Sequence, residues 1–185
     1  MSSAPRLVFA DTTVLINFGL CDAVPLLQEI IGDRGTWTQT IRGECRRKER
    51  DYDIVGTADA VEVIFGQPLR PDDDEHRQVR ALRASMSKPN EHPDKHLGEA
   101  EYITIIEQRR ISALIVTDDH DVSRHTGAPC ITSWDLIGLG VRKKVISDST
   151  ARDMRDRLLA QNRVHVAEIR DPSRFEAWLA DKLGQ

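Results

Sequence analysis

The chain has 185 residues, 39% of them hydrophobic and 30% charged, enough for one substantial core and within the usual size of a single domain. No uninterrupted apolar run reaches membrane length, and a formal charge of −4 argues against nucleic-acid binding by bulk electrostatics, so any such site must be local. Three cysteines, Cys21, Cys45 and Cys130, are odd in number and lack C-x-x-C spacing, which points to buried thiols and to neither a disulfide framework nor a zinc site.

The first residues carry one Arg and a four-residue apolar run that stops at Asp11, far short of a signal-peptide core, so a cytoplasmic location is expected. That run, Leu7 to Ala10, reads as a buried parallel strand ending in the polar Asp-Thr-Thr. Val14 to Phe18 and Ala23 to Ile31 read as two helices joined near Gly19, with Gly32 as a stop. Thr36 to Thr38 can form a second short strand, and Thr40 is the expected N-cap of a helix running to about Asp51.

From Asp51 to Asp94 the order is less regular and looks like an insertion, with an apolar stretch from Val61 to Phe65, an acidic run from Asp72 to Glu75 and a helix from about His76 to Met86. Ser87 to Pro93 is a loop leading to a helix over roughly Asp94 to Arg110. Ala113 to Val116 is the clearest buried strand and ends at Thr117-Asp118-Asp119. A short helix around Asp121 to Thr126, a strand at Pro129 to Thr132 and a helix capped by Ser133 follow. Two further helices are expected, about Thr150 to Asn162 and, behind an Asp171 N-cap, Pro172 to Leu183. Strands alternating with helices imply an α/β fold, a three-layer αβα sandwich around a central parallel sheet with additional C-terminal helices.

Ligands of such sheets bind beyond the carboxyl ends of the strands, where Asp11 and Asp119 stand, although each is also placed to cap a helix. Glu44 lies beside the stripe formed by Ile41 and Cys45 and should sit near the inward face; an ion pair with Arg47 or Lys48 is the plainer role. Glu99 opens its helix, where the dipole favours an acid, yet borders the apolar face of Tyr102, Ile103 and Ile106; Glu101 is the weaker candidate. If the four acids converge, a pair about 4 Å apart repels by roughly 4 kcal/mol at an effective dielectric of about 20, and a cation must offset it. Oxygen ligands select a hard ion, Mg²⁺ or Mn²⁺, bound singly or as a pair.

In order, LVFADTTVLI, TIRGEC, HLGEAEYITII and ALIVTDDHDVSR resemble the motifs of the PIN-domain nucleases, a family that includes VapC-type toxins. The Gly98-Glu99-Ala100-Glu101 stretch resembles a G-E-A-E variant of the third motif. The resemblance implies a PIN-like nuclease domain over residues 1–145, with the insertion at about 51–94, and a helical extension over 146–185 packed on it. It implies a metal-dependent endoribonuclease whose metal-binding and catalytic residues are Asp11, Glu44, Glu99 and Asp119, with Thr12 and Thr117 supporting the ligands. Asp118 replaces Asp119 if the alignment slips by one, and Asp121 could hold a second ion. RNA is the implied substrate, contacted through Thr12, Arg47 and Arg124, with Arg46, Lys48 and the cluster Arg142-Lys143-Lys144 as further cations. A toxin role would bring an antitoxin partner, and a homodimer is a further expectation. The competing reading is a non-catalytic PIN-like module for binding or assembly.

Overall fold

In the computed structural model, which describes residues 6–92 and 94–184, four short strands lie parallel. They are β1 (Leu7–Ala10), β2 (Gly35–Thr36), β3 (Ala113–Val116) and β4 (Cys130–Ile131), in the order β2-β1-β3-β4. The continuous apolar runs of β1 and β3 let both faces of the sheet be covered. Leu7 lies opposite Ala113 and Ala10 opposite Val116, and the Asp11 N–H extends the ladder by donating to the Val116 carbonyl at 2.9 Å. The chain leaves β1 on one side to form β2 and returns on the other to form β3. The carboxyl ends of β1 and β3 therefore flank the switch point at which parallel sheets bind ligands.

Among the described residues ten α-helices accompany the sheet, giving the expected α/β architecture of a three-layer sandwich: α1 (Thr12–Leu20), α2 (Val24–Ile31), α3 (Gln39–Asp51), α4 (Thr57–Phe65), α5 (Asp73–Met86), α6 (Leu97–Gln108), α7 (Ser133–Arg142), α8 (Asp148–Ala160), α9 (Ala167–Arg170) and α10 (Pro172–Leu183). Several boundaries differ from the sequence expectation for local reasons. The N-cap of α3 is Thr38, not Thr40, because the Thr40 N–H is taken by the carboxylate of Glu101 at 3.0 Å. The N-cap of α7 is Thr132, in a capping box with Asp135, and Ser133 is its first helical residue. The expected second strand stops at Thr36, and Thr38 makes an isolated parallel bridge to Leu69. Only a 3-10 turn, Val122–Arg124, forms where a short helix was expected, α6 starts at Leu97, and α8 begins at Asp148 behind Ser147.

The segment 51–94 holds α4 and α5: the stretch from Val61 to Phe65 belongs to α4, where Val61 and Phe65, four apart, turn inward. The acidic run starts α5 through a capping box of Asp72 and Glu75. Glu75 then accepts from Arg109 Nε and Nη2, both at 2.7 Å, tying the start of α5 to the end of α6, along which it packs.

The C-terminal helices bury aromatic rings against α7, with Trp134 edge-on to Phe175 and Trp178 at centroid distances of 6.2 and 5.9 Å. Arg155, buried in α8, donates to the carbonyls of Ile169 and Arg170 at 2.6 and 2.8 Å, which fixes the short α9.

Candidate metal centre

The carboxyl end of β1 places Asp11 at the head of α1, where Oδ1 accepts from the Thr12 N–H at 2.7 Å. Capping and a role in the acid cluster thus coexist, because a carboxylate has a second oxygen. That oxygen, Oδ2, lies 3.4 Å from the Thr117 hydroxyl at the end of β3. Thr12 Oγ1 donates to Glu44 Oε2 at 2.6 Å, so one residue holds the acids of β1 and α3 together. No ion pair joins Glu44 to Arg47 or Lys48 among the described residues.

Glu99 arrives from the first turn of α6, and Gly98 makes the approach possible. A Cβ at Gly98 would meet Ile41 Cδ1 at 2.6 Å and the two Glu44 carboxylate oxygens at 3.2 and 3.3 Å. Asp11, Thr12, Glu44, Arg47, Lys95 and Glu99 line one groove of about 450 Å³. Asp119 borders an adjoining depression with Lys95, His96 and Arg124. One ligand atom each from His96, Glu99 and Asp119 lies within 4.8 Å of the others.

The electrostatics are those of crowded acids. Burial raises the Asp11 carboxyl well above its ordinary value, and the charges of Glu99 and Glu44 raise it further. Burial also raises Glu44, against the Thr12 hydrogen bond, with Glu99 adding repulsion. Glu99 is raised first by burial and then by Asp119, while its own backbone N–H, His96 and Lys95 pull the other way. Glu99 thus couples the Asp11–Glu44 pair to the His96–Asp119 side.

The three aspartates after β3 have separate tasks. Asp118 accepts from the Ser133 N–H at 2.8 Å, from the Ser133 hydroxyl, and from Asn17 Nδ2 at 3.1 Å, so it anchors α7 and α1. Asp119 borders the acid cluster, its Oδ1 accepting from the Asp121 N–H at 2.8 Å and from no other donor among the described residues. Asp121 pairs with Arg124 at 2.7 Å on the exposed turn, which also commits Arg124. Glu101, buried against the N-terminus of α3, belongs to a helix start and not to the groove. Arg142, Lys143 and Lys144 stand apart from the groove, with Lys143 donating to the Ile30 carbonyl at 2.7 Å.

Sequence reasoning missed two residues. His96 sits three positions before Glu99, a helical spacing that would have shown it. Arg163, beyond α8, donates to Asn17 Oδ1, to the Tyr52 hydroxyl at 2.8 Å and to the Thr13 carbonyl at 3.3 Å, so the extension braces α1 directly behind the acids. No local pattern marks Arg163, whose partners lie more than 100 residues away. On the far side of the Asp118 loop a larger cavity of about 610 Å³ opens between α7 and the segment before α9, lined by His120, Trp134 and His165 among others.

No protein-family model matches the chain, and neither a curated protein nor a solved structure gives a significant match.

Proposed function

We propose that the chain is a divalent-metal-dependent ribonuclease of the PIN type, with Asp11, Glu44, Glu99 and Asp119 as its acidic centre. The observation that carries the reading is the set of three carboxylates, Asp11, Glu44 and Glu99, lining one groove at the switch point of a parallel sheet, each raised by burial and then by a neighbouring carboxylate. Three carboxylates on one groove, with Arg47, Lys48 and Lys95 also lining it and Asp119 beside Glu99, match the oxygen-rich donor set that Mg²⁺ and Mn²⁺ take. When bound, such an ion lowers the pKa of a water and screens the charge of a phosphodiester.

The protein's own part is to hold the acids in place. Thr12 orients Asp11 through its N–H and Glu44 through its hydroxyl, and Gly98 admits the start of α6 to the same groove. Arg47 and Lys95 flank the acids and supply the local positive charge that a chain of net charge −4 needs to hold an RNA phosphate. The resemblance to VapC-type toxins extends the reading to a toxin silenced by an antitoxin, for which a small adjacent reading frame is the observation to seek.

The reading is tested by calorimetric titration of Mg²⁺ and Mn²⁺ into the wild type and into the double variant Asp11→Asn, Asp119→Asn. Metal binding to the wild type and its loss in the variant support it. No metal-dependent difference between the two would favour a non-catalytic module.

A further inference from the structure

His96 occupies an unusual place. Its backbone is left-handed, with φ 64°, at the residue that starts α6. Among residues other than glycine, histidine is one of the few enriched there, and such conformations persist where the surroundings hold them. The helix start aims the ring at its own first turn, so that a ring nitrogen lies within 4.8 Å of carboxylate oxygens of both Glu99 and Asp119.

The two ring nitrogens have different surroundings. Nε2 faces Glu91 Oε2 at 3.5 Å. Glu91 is itself fixed, since its Oε2 accepts from the Lys88 N–H at 2.8 Å and its Oε1 pairs with Lys95. Nδ1 is fully buried and has no hydrogen-bond partner among the described residues. A buried polar atom left unpaired costs about 1–3 kcal/mol, so this arrangement calls for a partner that is not a protein atom. A carboxylate on one imidazole nitrogen and an empty lone pair on the other is how histidines that bind metals are held, because the carboxylate sets the tautomer and the ring orientation.

We infer that His96 is a nitrogen ligand alongside Glu99 and Asp119, oriented by Glu91, and that the centre therefore favours Mn²⁺ over Mg²⁺. The inference rests on the metal-dependent reading of the acids and deepens it. Imidazole suits first-row transition ions, whereas Mg²⁺ prefers oxygen throughout. An all-carboxylate centre would discriminate far less between the two ions.

The test uses the full-length chain, with Mn²⁺ and Mg²⁺ alone as probes. Pulsed electron spin resonance of the Mn²⁺-loaded wild type should show modulation from a directly bound nitrogen, and His96→Asn, chosen because Asn also tolerates a left-handed backbone, should abolish it. In calorimetry, His96→Asn should weaken Mn²⁺ binding by at least about tenfold and Mg²⁺ binding far less, and Glu91→Gln should weaken Mn²⁺ binding by roughly tenfold. Mn²⁺ bound without nitrogen modulation, or equal losses for both ions, would overturn the role of His96 and leave the carboxylate centre standing. Failure of the wild type to bind either ion would overturn both. The wild-type spectrum decides the point even if a variant fails to fold.

Discussion

Thr12 donates its hydroxyl to Glu44 at 2.6 Å while its backbone N–H donates to Asp11 at 2.7 Å, so a single residue sets the spacing between two acids that repel one another. Replacing Thr12 by Val keeps the shape and removes the hydroxyl. The loss of a hydrogen bond to a charged group should cost about 1.5–3 kcal/mol at neutral pH, with much less lost in acid, where Glu44 is protonated. Thr12→Ser should restore most of it. Urea unfolding of the three proteins at two pH values measures the effect, and an equal loss at both would remove the Glu44 bond as its cause.

The metal-free protein should lose stability as the pH rises above the ordinary carboxylate range of about 4. A carboxyl whose folded pKa is raised contributes stability that is fully present below the unfolded value and is lost as the pH rises through the folded one. Asp11, Glu44 and Glu99 are all of this kind. Glu75, lowered by Arg109, and Glu176, lowered by Arg152, act in the opposite direction, but only as the pH falls through the ordinary carboxylate range of about 4. Thermal melts in EDTA should show the trend, and saturating Mn²⁺ should reverse it by stabilising the ionised acids. An EDTA-treated protein that melts higher at alkaline pH would contradict the crowding of acids.

Asp118 and Asp119 should separate cleanly. Asp118→Ala removes the acceptor for Ser133 and Asn17 and should cost about 1–3 kcal/mol, the range for leaving half-buried donors without their charged partner. Asp119→Asn should change stability by no more than about 0.5 kcal/mol and abolish high-affinity metal binding. Chemical unfolding combined with calorimetry distinguishes the two; the reverse pattern would exchange their roles.

Gly98→Ala should damage the site through packing. The added methyl group meets Ile41 Cδ1 at 2.6 Å and pushes α6 away from α3, and overpacking of this kind costs about 1–3 kcal/mol. Metal affinity should fall with it. A variant of unchanged stability and affinity would show that α6 has room to spare.

Much of this arrangement was legible in the chain. Unbroken apolar runs mark β1 and β3, and the polar residues that end them give Asp11 and the Asp118–Asp119 pair, because parallel strands bury both faces and release the chain at one edge. The position of Glu44 beside Ile41 and Cys45 follows from helical spacing. What escaped depends on long-range contacts. Glu101 moves the cap of α3 from Thr40 to Thr38 across 61 positions, and Asp118 differs from Asp119 only because Ser133 and Asn17 reach it. The spacing of His96 to Glu99 is visible in the chain, but its left-handed backbone and its approach to Glu91 are not.

The most direct measurement is cleavage of a labelled single-stranded RNA by the purified chain with Mn²⁺ or Mg²⁺, with EDTA, and by the double variant Asp11→Asn, Asp119→Asn. The account expects cleavage by the wild type with metal, none with EDTA and none by the variant. Cleavage that survives EDTA, or that the double variant retains, would contradict the carboxylate centre as its source.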